Sequence, residues 1–152
     1  MAPKYYKRKY KSGDKYSVEN HAFVITTNAS GDGGQIVVPS TTLQGMRKVK
    51  HLTLSMAAPA GTANLDVFWA LVYVPQGTGV GTLNISGGDM YEPNQYVMST
   101  GIFDFNGGPL RVHCPLARNL NSGDSIALII KNSTNVASIN YHGVVRYAVT
   151  LQ

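Results

Sequence analysis

The stretch RKVKHLTLSMA, Arg47–Ala57, decides how the rest of this chain is read. From Lys50 onward it alternates, with Lys50, Leu52, Leu54 and Met56 on one side and His51, Thr53 and Ser55 on the other. A period of two belongs to an extended strand, whose successive side chains point to opposite faces, so one face meets a core and the other meets water. The end of the chain repeats the pattern, Val145, Tyr147, Val149 and Leu151 alternating with Arg146 and Thr150. Between the two, VFWALVYV (67–74) is apolar on both sides. That predicts a central strand whose second face is covered by a long loop or by a neighbouring subunit.

Working outward, strands are expected at 21–27, Arg47–Ala57, Asp66–Val74, 95–103, 109–114, 125–131 and 141–151, with weaker ones at 35–38 and 136–140. Turn chemistry separates them: GDGG (31–34), GTGVGT (77–82), GGD (87–89), GGP (107–109) and NSGD (121–124). No window sustains a helical period, and no repeat recurs at solenoid or propeller spacing. Many short strands joined by connections too long for simple hairpins predict an all-β fold, an eight-stranded jelly roll of two four-stranded antiparallel sheets. An immunoglobulin sandwich is the rival; it lacks a cysteine pair here, and Trp69 reads as an ordinary core tryptophan.

The 152 residues, 43% hydrophobic, suit one globular domain. Only 14% are charged, well under the roughly 25% of ordinary soluble proteins, so the surface is poor in charge. No apolar run approaches bilayer length and Met1 to Lys15 is polar and basic, which speaks against membrane spanning and secretion. Cys114 is the single cysteine and reads as a small buried hydrophobe.

Little in the body suggests catalysis. His21, His51, His113 and His142 lie far apart, without the i,i+4 spacing or flanking carboxylates of a metal site. Asp89 and Glu92 could be drawn as a glycosidase pair, but most acids here fall in turns where Asp bonds local backbone. Gly77, Gly79 and Gly81 lack the lysine and the helix of a phosphate-binding loop. No acid, base, nucleophile and metal set converges, so the expectation is no enzyme, no cofactor and no metal.

The one constellation that stands out is KYYKRKYKSGDKY, residues 4–16. Lys4, Lys7, Arg8, Lys9, Lys11 and Lys15 face a single acid, Asp14, and account for the whole formal charge of +5; the seven cations and seven acids beyond residue 15 cancel. Cations neutralise phosphates with counterion release, and the rings of Tyr5, Tyr6, Tyr10 and Tyr16 suit unstacked bases, each worth roughly 1–3 kcal/mol when used. Basic plus aromatic points to a single strand, and the Lys7–Arg8–Lys9 core would also serve nuclear import. The chain thus divides into an arm, 1–17, and a body, 18–152. A charge-poor β body associates without repulsion while its arm gathers polyanion on one side of the layer. That combination describes a shell protein.

At VYVPQGT (72–78), MYEPNQYV (90–97), GGPL (107–110), LARNLNSGDS (116–125) and RYAVTLQ (146–152), the chain resembles the small capsid proteins of circular, Rep-encoding single-stranded DNA viruses, circovirus- or nanovirus-like. The resemblance implies a single jelly roll, a basic arm inside the particle, a closed icosahedral homo-oligomer of about 60 copies at minimum, and circular single-stranded DNA as partner. It implies the virion, and the host nucleus during assembly, as the locations. By position it makes Lys4, Lys7, Arg8, Lys9, Lys11 and Lys15 the DNA contacts, and it transfers no catalytic residue. This arm is shorter and richer in Lys and Tyr than the family's Arg-dominated arms. Five net charges per copy fall far short of the phosphates of a kilobase-scale strand, so Arg47, Lys48 and Lys50 of the body are candidate inward-facing contacts, with bound cations or a larger shell as the other remedies.

Two other readings belong to different classes. A lectin-like carbohydrate-binding jelly roll would need exposed aromatic platforms, yet Trp69 and Tyr73 fall in a strand that reads as core. A monomeric nucleic-acid-binding β protein would need a basic face on a body whose charges cancel.

Overall fold

The structure, a computed structural model, describes residues 16–60, 65–81, 96–134 and 138–151. Within them nine strands form two antiparallel sheets: β1 (Ser17–Thr26), β2 (Asp32–Val38), β3 (Arg47–Ala57), β4 (Asp66–Val74), β5 (Val97–Asp104), β6 (Leu110–Cys114), β7 (Arg118–Leu120), β8 (Ser125–Asn132) and β9 (Asn140–Leu151). The first sheet runs β1-β9-β3-β6, with β7 also on β3, and the second runs β2-β8-β4-β5. Most connections cross from one sheet to the other and the ends of the chain pair in the first sheet. This is the jelly-roll sandwich.

The expected strands are present, with β3 and β4 at the predicted bounds, except the weak one at 136–140: Ser138, at φ 62°, and Ile139 are outside any strand and Asn140 opens β9. β7, three residues long, is too short to show a period and makes the first sheet five-stranded rather than four. The GDGG segment is not all turn. Asn28 Oδ1 accepts from the backbone N–H of Ser30 (2.8 Å) and Asp32 (3.0 Å), Gly31 takes φ 79°, and the strand starts at Asp32. GGD (87–89) and residues 136–137 of the weak strand at 136–140 lie outside the described residues.

The core lies between the sheets. Phe23 and Ile25 of β1, Leu52, Leu54 and Met56 of β3, and Tyr141, Val145 and Tyr147 of β9 meet Ile126, Leu128 and Ile130 of β8 and Val67, Trp69 and Leu71 of β4. Cys114 is fully buried among them. The two buried tyrosines keep their hydroxyls bonded at the seam, Tyr141 donating to Asn132 Oδ1 and Tyr147 to Glu19 Oε2, each at 2.7 Å.

The outer face of the second sheet is closed too. Ala70, Val72 and Val74 of β4 and Ala127 and Ile129 of β8 are 0–3% exposed within the single chain. Of the two covers expected for β4, the described start of the chain's own connection, residues 75–81, supplies part of this one. A Cβ on Gly34 would stand 2.8 Å from Val80 Cγ1 and 3.3 Å from Ile129 Cγ2, so Val80 lies against that face.

One residue of β3 breaks the expected alternation. Its register against β9 shifts between Lys50 and Thr53, and His51 takes φ 55°. An extra residue in one strand inverts which side chains point inward. Arg47 and Val49 are buried before the bulge, and Leu52, Leu54 and Met56 after it. Lys50, expected beside Leu52, therefore stands on the outer face with Thr53 and Ser55, opposite Ala148 of β9.

Candidate nucleic-acid interface

Lys4, Tyr5, Tyr6, Lys7, Arg8, Lys9, Tyr10, Lys11 and Lys15 lie outside the described residues. The described chain begins at Tyr16, 60% exposed, immediately before β1 pairs with β9 at Ser17↔Val149. The Lys50 ammonium stands 5.4 Å from the centre of the Tyr16 ring, within cation–π range.

The three body cations expected at the interface have different surroundings. Arg47 is only 8% exposed, and its Nη2 donates to the Pro39 carbonyl at 2.9 Å, which ties β3 to the segment after β2. Lys48 and Lys50 are half-buried and alternate with Arg47 and Val49, facing outward opposite Thr150 and Ala148.

Further residues share that outer face by register. Asn20, Arg146, Thr53 and His113 form one row across β1, β9, β3 and β6; Ala22, Val144, Ser55 and Arg111 form the next; Val24, His142 and Ala57 follow. Two adjoining depressions mark the face. One of about 440 Å³ is lined by Asn20, Thr53, Ser55, Arg111, His113 and Arg146. The other, about 270 Å³, is lined by Tyr16, Val18, His51, Thr53, His113 and Arg146. Sequence reading had Arg146 on a polar face but missed Arg111 and His113, whose signal was their alternation with Leu110, Val112 and Cys114.

The other charged groups are engaged elsewhere. Lys131 meets Asp32 at 3.0 Å, and Arg118 lies 4.3 Å over the Tyr73 ring. Asp124 accepts from the Tyr73 hydroxyl (2.7 Å) and from the backbone N–H of Asn121 (2.8 Å) and Gln76 (3.1 Å). Burial works to raise the Asp124 carboxyl, but these bonds outweigh it and hold it below the usual range. Burial, with the bond to Asp124, pushes Tyr73 up to about 12. The Tyr147 hydroxyl lowers Glu19, which also lies 3.4 Å from His21 Nε2, and burial raises Tyr147 in turn. Asp66 and Asp104 sit opposite each other on β4 and β5. Among the described residues no carboxylate stands on the outer face of the first sheet, and no group of three or more His, Cys, Asp or Glu could hold a metal ion.

Beside the cations is an apolar groove of about 770 Å³. Ala22, Val24, Ile36, Ala57, His142 and Val144 line it, with Val24, Ile36 and Val144 41–53% exposed.

No protein-family model matches the chain, and no curated protein matches it. Among solved structures it is similar to a chain of turnip yellow mosaic virus, with TM-score 0.44 and 14% identity over 91% of this chain and 94% of that one. A structure of the same virus at 100 K gives TM-score 0.46 and 15% identity, over the same shares. A CocE/NonD family hydrolase from Staphylococcus aureus gives TM-score 0.49 and 7% identity; the match covers 93% of this chain and 37% of the hydrolase. Similarity this distant spans a virus and a hydrolase and transfers no function.

Proposed function

We propose that the chain is a structural protein, the subunit of a viral capsid, whose bodies assemble into a closed icosahedral shell while its basic arm packages circular single-stranded DNA. The observation that carries this reading is the partition of charge: all of the net +5 lies in residues 1–15, and the remainder sums to zero. An arm so charged gathers polyanion, and a neutral sandwich can be packed against copies of itself without repulsion. The resemblance at residues 72–78, 90–97, 107–110, 116–125 and 146–152 supports the assignment to small single-stranded DNA viruses. The Lys7–Arg8–Lys9 cluster fits import into a host nucleus before assembly.

Electron microscopy of the full chain expressed alone, with the 260/280 nm absorbance ratio of the same sample, tests the reading. Uniform closed particles containing nucleic acid are expected. Protein that stays monomeric at high concentration across salt and pH, with and without single-stranded DNA, overturns it.

A further inference from the structure

We propose that the outer face of the β1-β9-β3-β6 sheet is a second DNA-contacting surface, continuous with the arm, on which Lys50, Arg111 and Arg146, flanked by His51 and His113, hold phosphates of the strand the arm recruits. This rests on the packaging role proposed above and names the part of the body that shares it.

Three observations converge. The first is segregation of charge. Of the seven cations beyond residue 15, Arg47 is buried against the Pro39 carbonyl, Arg118 covers Tyr73 and Lys131 pairs with Asp32. The other four, Lys48, Lys50, Arg111 and Arg146, all point out from one sheet, and none has a carboxylate partner among the described residues. A body that is neutral in sum therefore carries a one-signed face. Repulsion among like charges a few strand spacings apart costs stability, and a bound polyanion relieves it.

The second is continuity. The arm enters the body at Tyr16, whose ring lies beside Lys50. Tyr16 lines a depression with His51, His113 and Arg146, and the next depression shares His113 and Arg146 and adds Arg111. Among the described residues, no acid stands between Tyr16 and these groups. Guanidinium groups bind phosphate in bidentate fashion, and the two histidine rings add N–H donors and flat faces.

The third is the lack of a matching protein surface. Were the face a contact with a second copy, that copy should present acids. Its described carboxylates are mostly in internal use, Glu19 by Tyr147, Asp32 by Lys131 and Asp124 by Tyr73. Asp104 accepts from the backbone N–H (2.9 Å) and side-chain amide (3.3 Å) of Asn106, which leaves only Asp66 among the described carboxylates, one against four cations.

The test uses the full chain with its arm intact. Binding of a fluorescein-labelled thymidine 20-mer is followed by anisotropy over a salt series for the native protein, for Arg111→Gln/Arg146→Gln, for Arg111→Lys/Arg146→Lys, for Arg118→Gln, and for the arm variant Lys7→Gln/Arg8→Gln/Lys9→Gln. Both substituted arginines are exposed, and circular dichroism confirms folding of each variant. The Arg-to-Gln pair should lower the slope of log K against log salt by about 1.4 and weaken binding at least tenfold near 0.1 M salt. The Lys pair should keep the slope, and Arg118→Gln should change nothing. Native affinity and slope in the Gln pair, with binding lost in the arm variant, overturns the inference and leaves the capsid reading standing. Unchanged DNA binding with assembly blocked assigns the face to a second copy, which also overturns it. Weakened binding in a protein that never forms particles supports the face and overturns the capsid reading instead.

Discussion

The tip of the Phe23 ring, its Cζ and two Cε atoms, occupies the space where a side chain on Gly143, its register partner across β1 and β9, would stand. A Cβ built on Gly143 would come within 2.7–2.8 Å of the Phe23 Cε atoms, well inside van der Waals contact. The pair closes the edge of the core where the first strand joins the last. Gly143→Ala should therefore cost about 1–3 kcal/mol through overpacking. Phe23→Leu in the same background should recover part of that loss, giving a coupling energy of about 1 kcal/mol in a double-mutant cycle of urea midpoints. Additive effects would show that ring and backbone do not touch.

Asp124 accepts from three donors, the Tyr73 hydroxyl of β4 and one backbone N–H in each of two connections, so Asp124→Ala leaves all three unpaired. A loss of about 3 kcal/mol is expected. Its carboxyl lies lower in the folded protein than its ordinary value, so its contribution is complete above about pH 4 and fades as pH falls through the folded value. Denaturant midpoints at pH 7 and pH 3 should differ less for Asp124→Asn than for the native protein, the remaining difference coming from Glu19, which the Tyr147 hydroxyl also holds low.

The alkaline limb belongs to tyrosine. Burial pushes Tyr141 up to about 12, and Tyr73 is raised equally, so each contributes fully below about pH 10 and that contribution is lost as pH rises toward 12. Stability should fall over that window. Tyr141→Phe should flatten the fall while lowering stability at pH 7 by about 1 kcal/mol, since the hydrogen bond from the Tyr141 hydroxyl to Asn132 Oδ1 is lost.

At His51 the backbone has φ 55°, a conformation that glycine adopts freely and β-branched residues resist. His51→Val should cost about 1–2 kcal/mol and His51→Gly should be near neutral. Equal thermal midpoints for the two variants would remove the bulge as the cause of the inverted alternation in β3.

Removing residues 1–16 takes away the basic arm and none of the described strands, the first of which begins at Ser17. The shortened chain should keep the β circular dichroism of the full one, and its nucleic-acid content on purification should drop steeply. Unfolding would show that the arm is structural.

Much of this protein was legible in its sequence, because the informative signals are local. Alternation in 47–57 and 141–151 and the two-sided apolar run at 67–74 depend only on side-chain direction along one strand, and the positive charge of the arm is a matter of composition. The sequence alone also placed Cys114 and Trp69 in the core, where both are buried. Tertiary structure decided what depends on pairing between distant segments. It moved Lys50 to the outer face, because a single residue with positive φ inverts a strand in a way no hydrophobic count registers. It added β7, whose three residues are a strand only because Arg47, Lys48 and Val49 lie opposite them. Above all it set Lys48, Lys50, Arg111 and Arg146 on one face that is free of acids among the described residues. Charges that cancel along a chain need not cancel in space, because each sheet gathers its outward positions from strands as far apart as β1 and β9.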